Sequence, residues 1–286
     1  MKGLMRGLES LVVLTRREVS KWIHRRPVLV VSIITPIFWI ALFGKSFNIF
    51  NVIQVAGIDV DPGIAERIRE IIVERITSIF GTQDYFTYVT TGMLAVFGLF
   101  QSMFGAVGVV FERRIGYLTR LLVAPIPRFS IFMSKVMGTL FRITVLALIL
   151  LVIAYPMGLQ LKLDLSLVDL FMAWIVLMLL SMGLSAFFTG MAFNIGHQEV
   201  LFALANLVNL PLMFSSSALF PRDQMPEWLS AVAGVNPITH TADLMRFYLI
   251  GKPLDDPMLS FTYLVGLTLI LTIIGYTLAV RGMEKP

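Results

Sequence analysis

Residues with a chemistry of their own fall in three places. The first is 111–128, which reads FERRIGYLTRLLVAPIPR. Ile115, Leu118 and Leu122 recur at spacings of three and four around Gly116, an apolar stripe along a short helix. Glu112, Arg113 and Arg120 offer charge to a partner, and Pro125 and Pro127 stop the helix because proline cannot continue one. The second is a set of polar residues in apolar surroundings. Arg142 lies seven residues beyond Lys135, about 10 Å along a helix axis. A charge there either snorkels to the interface or serves function. Ser181, Ser185 and Thr189 sit at i, i+4 and i+8, the spacing for close helix packing or, less often, for contact with a substrate. Pro211 precedes Ser215, Ser216 and Ser217, a kink beside polar groups that could line a conduit or simply pack. The third is 236–246, where Asn236 can cap a helix with Pro237 at its first position. Arg246 and Tyr248 then read as the return to a surface.

Several chemistries are excluded. The chain has no cysteine and three histidines far apart in sequence, so thiol catalysis, disulfides and a histidine metal site are out. Gly44, Lys45 and Ser46 look like the end of a phosphate-binding loop. Such a loop needs a glycine where Trp39 stands, so the match fails. No carboxylate pair or Ser–His–Asp pattern falls in an apolar stretch. The chain reads as no enzyme, with no cofactor of its own; any ATP and Mg must sit on a partner.

The elements that carry these residues are membrane helices. Of 286 residues, 57% are hydrophobic and only 14% charged, with mean hydropathy +0.83. Soluble domains are about 25% charged, so a soluble enzyme is excluded, as is a disordered chain. Crossing the hydrocarbon takes about 20 apolar residues. Six stretches serve, at about 27–50, 85–111, 130–158, 168–193, 199–221 and 258–281. The expected fold is all-α: one polytopic domain over 1–286 with six transmembrane helices. Residues 1–26 form an interfacial helix, with Met5, Leu8, Val12, Val19 and Trp22 on its apolar face and Arg6, Arg16, Arg17, Lys21 and Arg25 on its cationic face. A short amphipathic helix is expected over 64–80, and two re-entrant helices within 222–257. With the N-terminus inside, fourteen Lys and Arg face the cytoplasm against eight outside. The positive-inside rule then puts both termini and the 111–128 loop in the cytoplasm. The net charge of +5 reads as topology and anionic-lipid contact, not as nucleic-acid binding.

With six spans, the 112–128 motif and the 236–246 motif, the chain resembles permeases of the type-two ABC exporters. The nearest subgroup is that of daunorubicin-type drug exporters and of lipo-oligosaccharide or polysaccharide exporters. The chain departs from the family at the start of the second span, where Thr91 precedes Gly92 in place of the usual proline. The resemblance implies that 111–128 is the coupling loop to a cytoplasmic ABC ATPase, two copies per complex. It implies a second permease subunit as homo- or heterodimer, a cell-membrane location, and outward movement of a drug-like, lipid or glycan substrate. A carrier or channel working without ATP is the alternative; such proteins carry charged or broken-helix sites at the midplane in repeated halves, whereas here the midplane lacks acids and no convincing repeat is seen.

Overall fold

In a computed structural model, the chain is described at residues 2–24, 29–34, 37, 38, 42, 67, 71, 74, 75, 77–82 and 84–284. Ten helices and no strands occur among them. The helices, in chain order, are α1 (Lys2–His24), α2 (Tyr85–Arg114), α3 (Tyr117–Val123), α4 (Arg128–Ala154), α5 (Leu167–Ala192), α6 (Gln198–Phe214), a 3₁₀ turn (Arg222–Gln224), α7 (Glu227–Gly234), α8 (Pro237–Ile250) and α9 (Pro257–Glu284). Four of them, containing α2, α4, α5 and α9, are long and apolar enough to cross a membrane. The expected first span and the 64–80 helix fall largely outside the described residues.

Local chemistry sets the helix ends. Asp84 caps α2 by accepting from the Phe86 amide at 3.1 Å. Ser166 and Asp169 form a reciprocal capping box at α5, satisfying two amides that a helix start otherwise leaves open. Asn236 caps α8 with Pro237 behind it, and Gly251, at φ +73°, ends it in the left-handed conformation. The 222–257 region thus holds a 3₁₀ turn and two short helices. The fifth apolar stretch is shorter than expected. Pro211 sits inside α6, which stops at Phe214 after 17 residues. Its last turn closes on the Pro211 carbonyl, which accepts from both the amide and the hydroxyl of Ser215.

The core is a helix bundle in which α5 is central, packed against α2, α4, α8 and α9. Helices α5 and α9 meet along glycines. A Cβ at Gly190 would collide with the Gly275 carbonyl, one at Gly275 with the Ala186 carbonyl, and one at Gly282 with the Phe193 carbonyl. Small residues allow this approach, which lets membrane helices gain dispersion contact where lipid offers no hydrophobic drive. Ser181, Ser185 and Thr189 are fully buried on α5, and Ser181 faces Gly98 of α2. Leu148, Val152, Leu269 and Ile273 lie on outer faces of α4 and α9, each more than half exposed, as lipid-facing side chains must be.

Candidate functional site: a connecting turn, the charges behind it and an apolar cleft

Helices α2 and α4 are joined by the turn that the sequence singles out. Helix α2 ends at Arg114. Gly116 then adopts φ +70°, a conformation that side chains disfavour, and α3 follows from Tyr117 to Val123. Ala124 is extended, and Pro125-Ile126-Pro127 leads into α4. The turn exposes Ile115 (58%) and Val123 (82%), together with Arg114, Thr119, Arg120 and Pro125.

Three expectations for this loop are corrected. Leu118 is 4% exposed and belongs to the core, while Leu122 packs half-buried against it. The left-handed Gly116 reorients α3, so Ile115 and Leu118 no longer share one continuous helical face. Arg113 is not free for a partner: its guanidinium donates to the Phe193 carbonyl at the end of α5, one of the acceptors that a helix terminus leaves open. Glu112 is also unavailable, being 4% exposed. Its carboxylate pairs with Lys135 of α4, with Lys21 and, at 3.3 Å, with Arg17 of α1. Glu18 completes the cluster, 2.6 Å from Lys135 and 2.8 Å from Lys21. Two carboxylates thus meet three cations. Desolvated charges are tolerated when each finds partners of opposite sign.

Helix α1 is therefore turned differently from expectation. Arg17 and Lys21 point into the bundle, and Trp22 is buried against Phe97 and Leu146. Leu8, Val12 and Val13 remain exposed by more than half, an apolar face for the membrane interface. Arg17 also lies over the Tyr117 ring, 3.7 Å from its centroid, so α1 touches α3 directly. Lys135, Glu18 and Tyr117 went unrecognised in the sequence. The i, i+3 spacing of Glu18 and Lys21 was their only local signal.

Above this cluster runs a largely apolar cleft of about 1010 Å³. One stripe of α2 lines it, from Met93 through Phe97 and Gln101 to Glu112, with Trp22, Arg142 and the α6 end around it. Gln101 is 4% exposed, and its side-chain oxygen has no hydrogen-bond partner among the described residues. Arg142 lies on the wall, 5.9 Å from the Trp22 ring centroid. Pro211 is exposed on α6 and is not among the lining residues.

At the opposite end of α2, Arg246 reverses its expected place. It is completely buried, not at a surface. Its guanidinium donates to the Ala218 carbonyl at 2.9 Å, the Tyr88 carbonyl at 3.3 Å and Asp243 at 2.9 Å, and its carbon lies 3.5 Å from the Tyr88 ring centroid. Asn236, besides capping α8, donates to the Leu212 carbonyl at 2.7 Å. Gly92 is required here, because a Cβ would strike the Ala218 carbonyl and Arg246. Nearby, burial pushes the Lys252 ammonium below its ordinary pKa, and the charge of Arg246 adds to the effect.

Comparison with known proteins agrees with this architecture. Residues 9–250 match the ABC-2 type transporter family model, and the chain belongs to that family. It is 30% identical to the transport permease ycf38 of Cyanophora paradoxa, over 93% of this chain and 85% of that one. It is 27% identical to the doxorubicin resistance ABC transporter permease protein DrrC of Mycobacterium tuberculosis, over 56% of each chain. A shorter match, 38% over 50 residues, links it to nodulation protein J of Rhizobium leguminosarum, covering 18% of this chain and 19% of that one. The chain is a multi-pass membrane transport permease.

Proposed function

We propose that the chain is the membrane subunit of an ATP-driven exporter, worked by separate cytoplasmic ABC ATPases, two per complex. Two permease subunits, alike or different, complete the assembly. ATP and Mg bind on the ATPase, whose hydrolysis supplies the work. The observation that carries this reading is the 114–127 turn. It joins two spans directly, presents Ile115, Arg120 and Val123 outward, and is backed by the Glu112 cluster, so a push on the turn reaches α1, α2 and α4 together. Ile115 and Val123 suit a shallow apolar groove on the ATPase, and Arg114 and Arg120 suit its acidic rim, charge setting partner choice more than raw affinity.

The cleft is the candidate transport path. Its largely apolar walls suit a drug-like or lipid body, with Gln101 and Arg142 as polar points partway and the Arg17, Glu18, Lys21 and Glu112 charges lining one end. Both termini and the turn lie in the cytoplasm in this reading.

The test is copurification with the ATPase and substrate-stimulated hydrolysis in reconstituted membranes. Ile115→Asp with Val123→Asp should cut ATPase recovery by on the order of tenfold or more, as loss of buried apolar anchors does, while the permease keeps wild-type membrane levels. Full recovery and full coupling in that variant would remove the turn as the coupling element.

A further inference from the structure

Residues 215–221 follow the early stop of α6 at Phe214. Ser216, Ser217, Ala218 and Leu219 are nonetheless buried. Buried backbone must find partners, and here side chains supply them. The Tyr88 hydroxyl donates to the Ser217 carbonyl at 2.9 Å and the Tyr85 hydroxyl to the Leu219 carbonyl at 3.2 Å. Arg246 donates to the Ala218 carbonyl between them. The Ser217 amide donates to Thr239 at 3.1 Å, and the Ser217 hydroxyl to Asp243 at 2.9 Å. Three consecutive carbonyls are thus held by side chains of α2 and α8. The same turn meets the cleft, since Leu219 lines it with Met93.

We propose that the Ser217–Leu219 turn is the stopper at the far end of the cleft, and that Arg246 is its latch. This rests on the cleft being the transport path. The turn can be withdrawn by exchanging side-chain hydrogen bonds, with no helix unwound. Arg246 is the central fastening because, among the described residues, it alone grips the turn, Tyr88 of α2 and Asp243 of α8 at once. Its planar guanidinium presents five donors in a fixed fork, a geometry that the single ammonium of a lysine does not reproduce. Arg246 is a positioning residue: it holds the stopper rather than the cargo.

The experiment uses the cysteine-free chain with Leu219→Cys as reporter. The purified permease in detergent is treated with a bulky maleimide, and the labelling rate of that cysteine is measured. The readout needs neither ATPase nor substrate, so it succeeds or fails apart from the exporter reading. Arg246→Gln should raise the rate on the order of tenfold or more, as expected for losing charge-assisted hydrogen bonds, and Arg246→Lys should fall between. A second reporter, Phe132→Cys, lies in the α4 core and should stay slow in every background. If Arg246→Gln does not accumulate, Tyr88→Phe removes one fastening and should still raise labelling severalfold. Unchanged labelling of position 219, or equal acceleration at position 132, would overturn the latch.

Discussion

The Arg17 guanidinium stands 3.7 Å from the centroid of the Tyr117 ring, so the helix before the first expected span rests on the short helix between α2 and α4. Arg17 also holds Glu112 at 3.3 Å. One side chain therefore spans α1, α2 and α3. A cation over an aromatic face contributes about 0.5–2 kcal/mol, modest for folding but enough to shift a coupling equilibrium. Tyr117→Leu should leave membrane level and ATPase binding intact and lower the substrate stimulation of hydrolysis severalfold. Arg17→Lys keeps the charge but loses the planar fork, so it should show a milder defect in the same assay.

Glu112 and Lys135 form the most deeply buried ion pair of the cluster, their side chains 5% and 4% exposed. Removing one partner of such a pair costs about 3–5 kcal/mol, because the other charge is left uncompensated. Glu112→Gln and Lys135→Met should each lower the thermal midpoint of the detergent-solubilised permease markedly. The double variant should be more stable than the sum of the singles. Strict additivity would show that the two charges are not coupled.

The glycine seam gives a sharper contrast. Gly190→Ala and Gly275→Ala place a methyl group against backbone carbonyls of the facing helix, where neither side can yield. Overpacking costs about 1–3 kcal/mol or more, so both variants should lose thermal stability. Gly108→Ala and Gly266→Ala put the same methyl into open space, and should hold or slightly raise stability through better helix propensity. Similar losses at all four positions would contradict the seam.

Orientation is checked with single cysteines at Thr119 and Trp228, both exposed. An impermeant reagent added outside intact cells should label position 228 and spare 119. Equal labelling at both positions would break the topology.

The helices were legible because the bilayer imposes a length and a composition. Helix α4 starts within two residues of expectation and α5 within one, since charge and proline mark their ends. The caps at Asn236 and the stop at Pro125 were equally local. What was not legible depended on distance or on one torsion. Glu112 and Arg17 are 95 positions apart, and nothing in either segment names the other. Arg246 looked like a surface residue because, with Tyr248, it follows an uncharged stretch that reads as dipping into the membrane and returning. The Asp243 carboxylate on its own helix, with the carbonyls of Tyr88 and Ala218 brought from two other segments, makes its burial tolerable. The Ile115–Leu118–Leu122 stripe failed because helical periodicity was carried across Gly116, where a positive φ resets the phase.

The seam between α5 and α9 has a consequence for how motion divides the molecule. Two helices whose backbones touch at successive glycines cannot slide or tilt without collision, so they behave as a chassis. Helix α6 is built otherwise: Leu201, Ala205 and Asn209 are its only buried residues, and its proline lies one turn from its end. The α1–α2–α4 corner is tied by charges that can trade partners. A stroke arriving at α3 therefore meets an anchored half and a yielding half, and displacement collects on the yielding side, where the cleft is. Amide exchange should register the same division, slowest at 183–190 and 268–279, and fastest along α6.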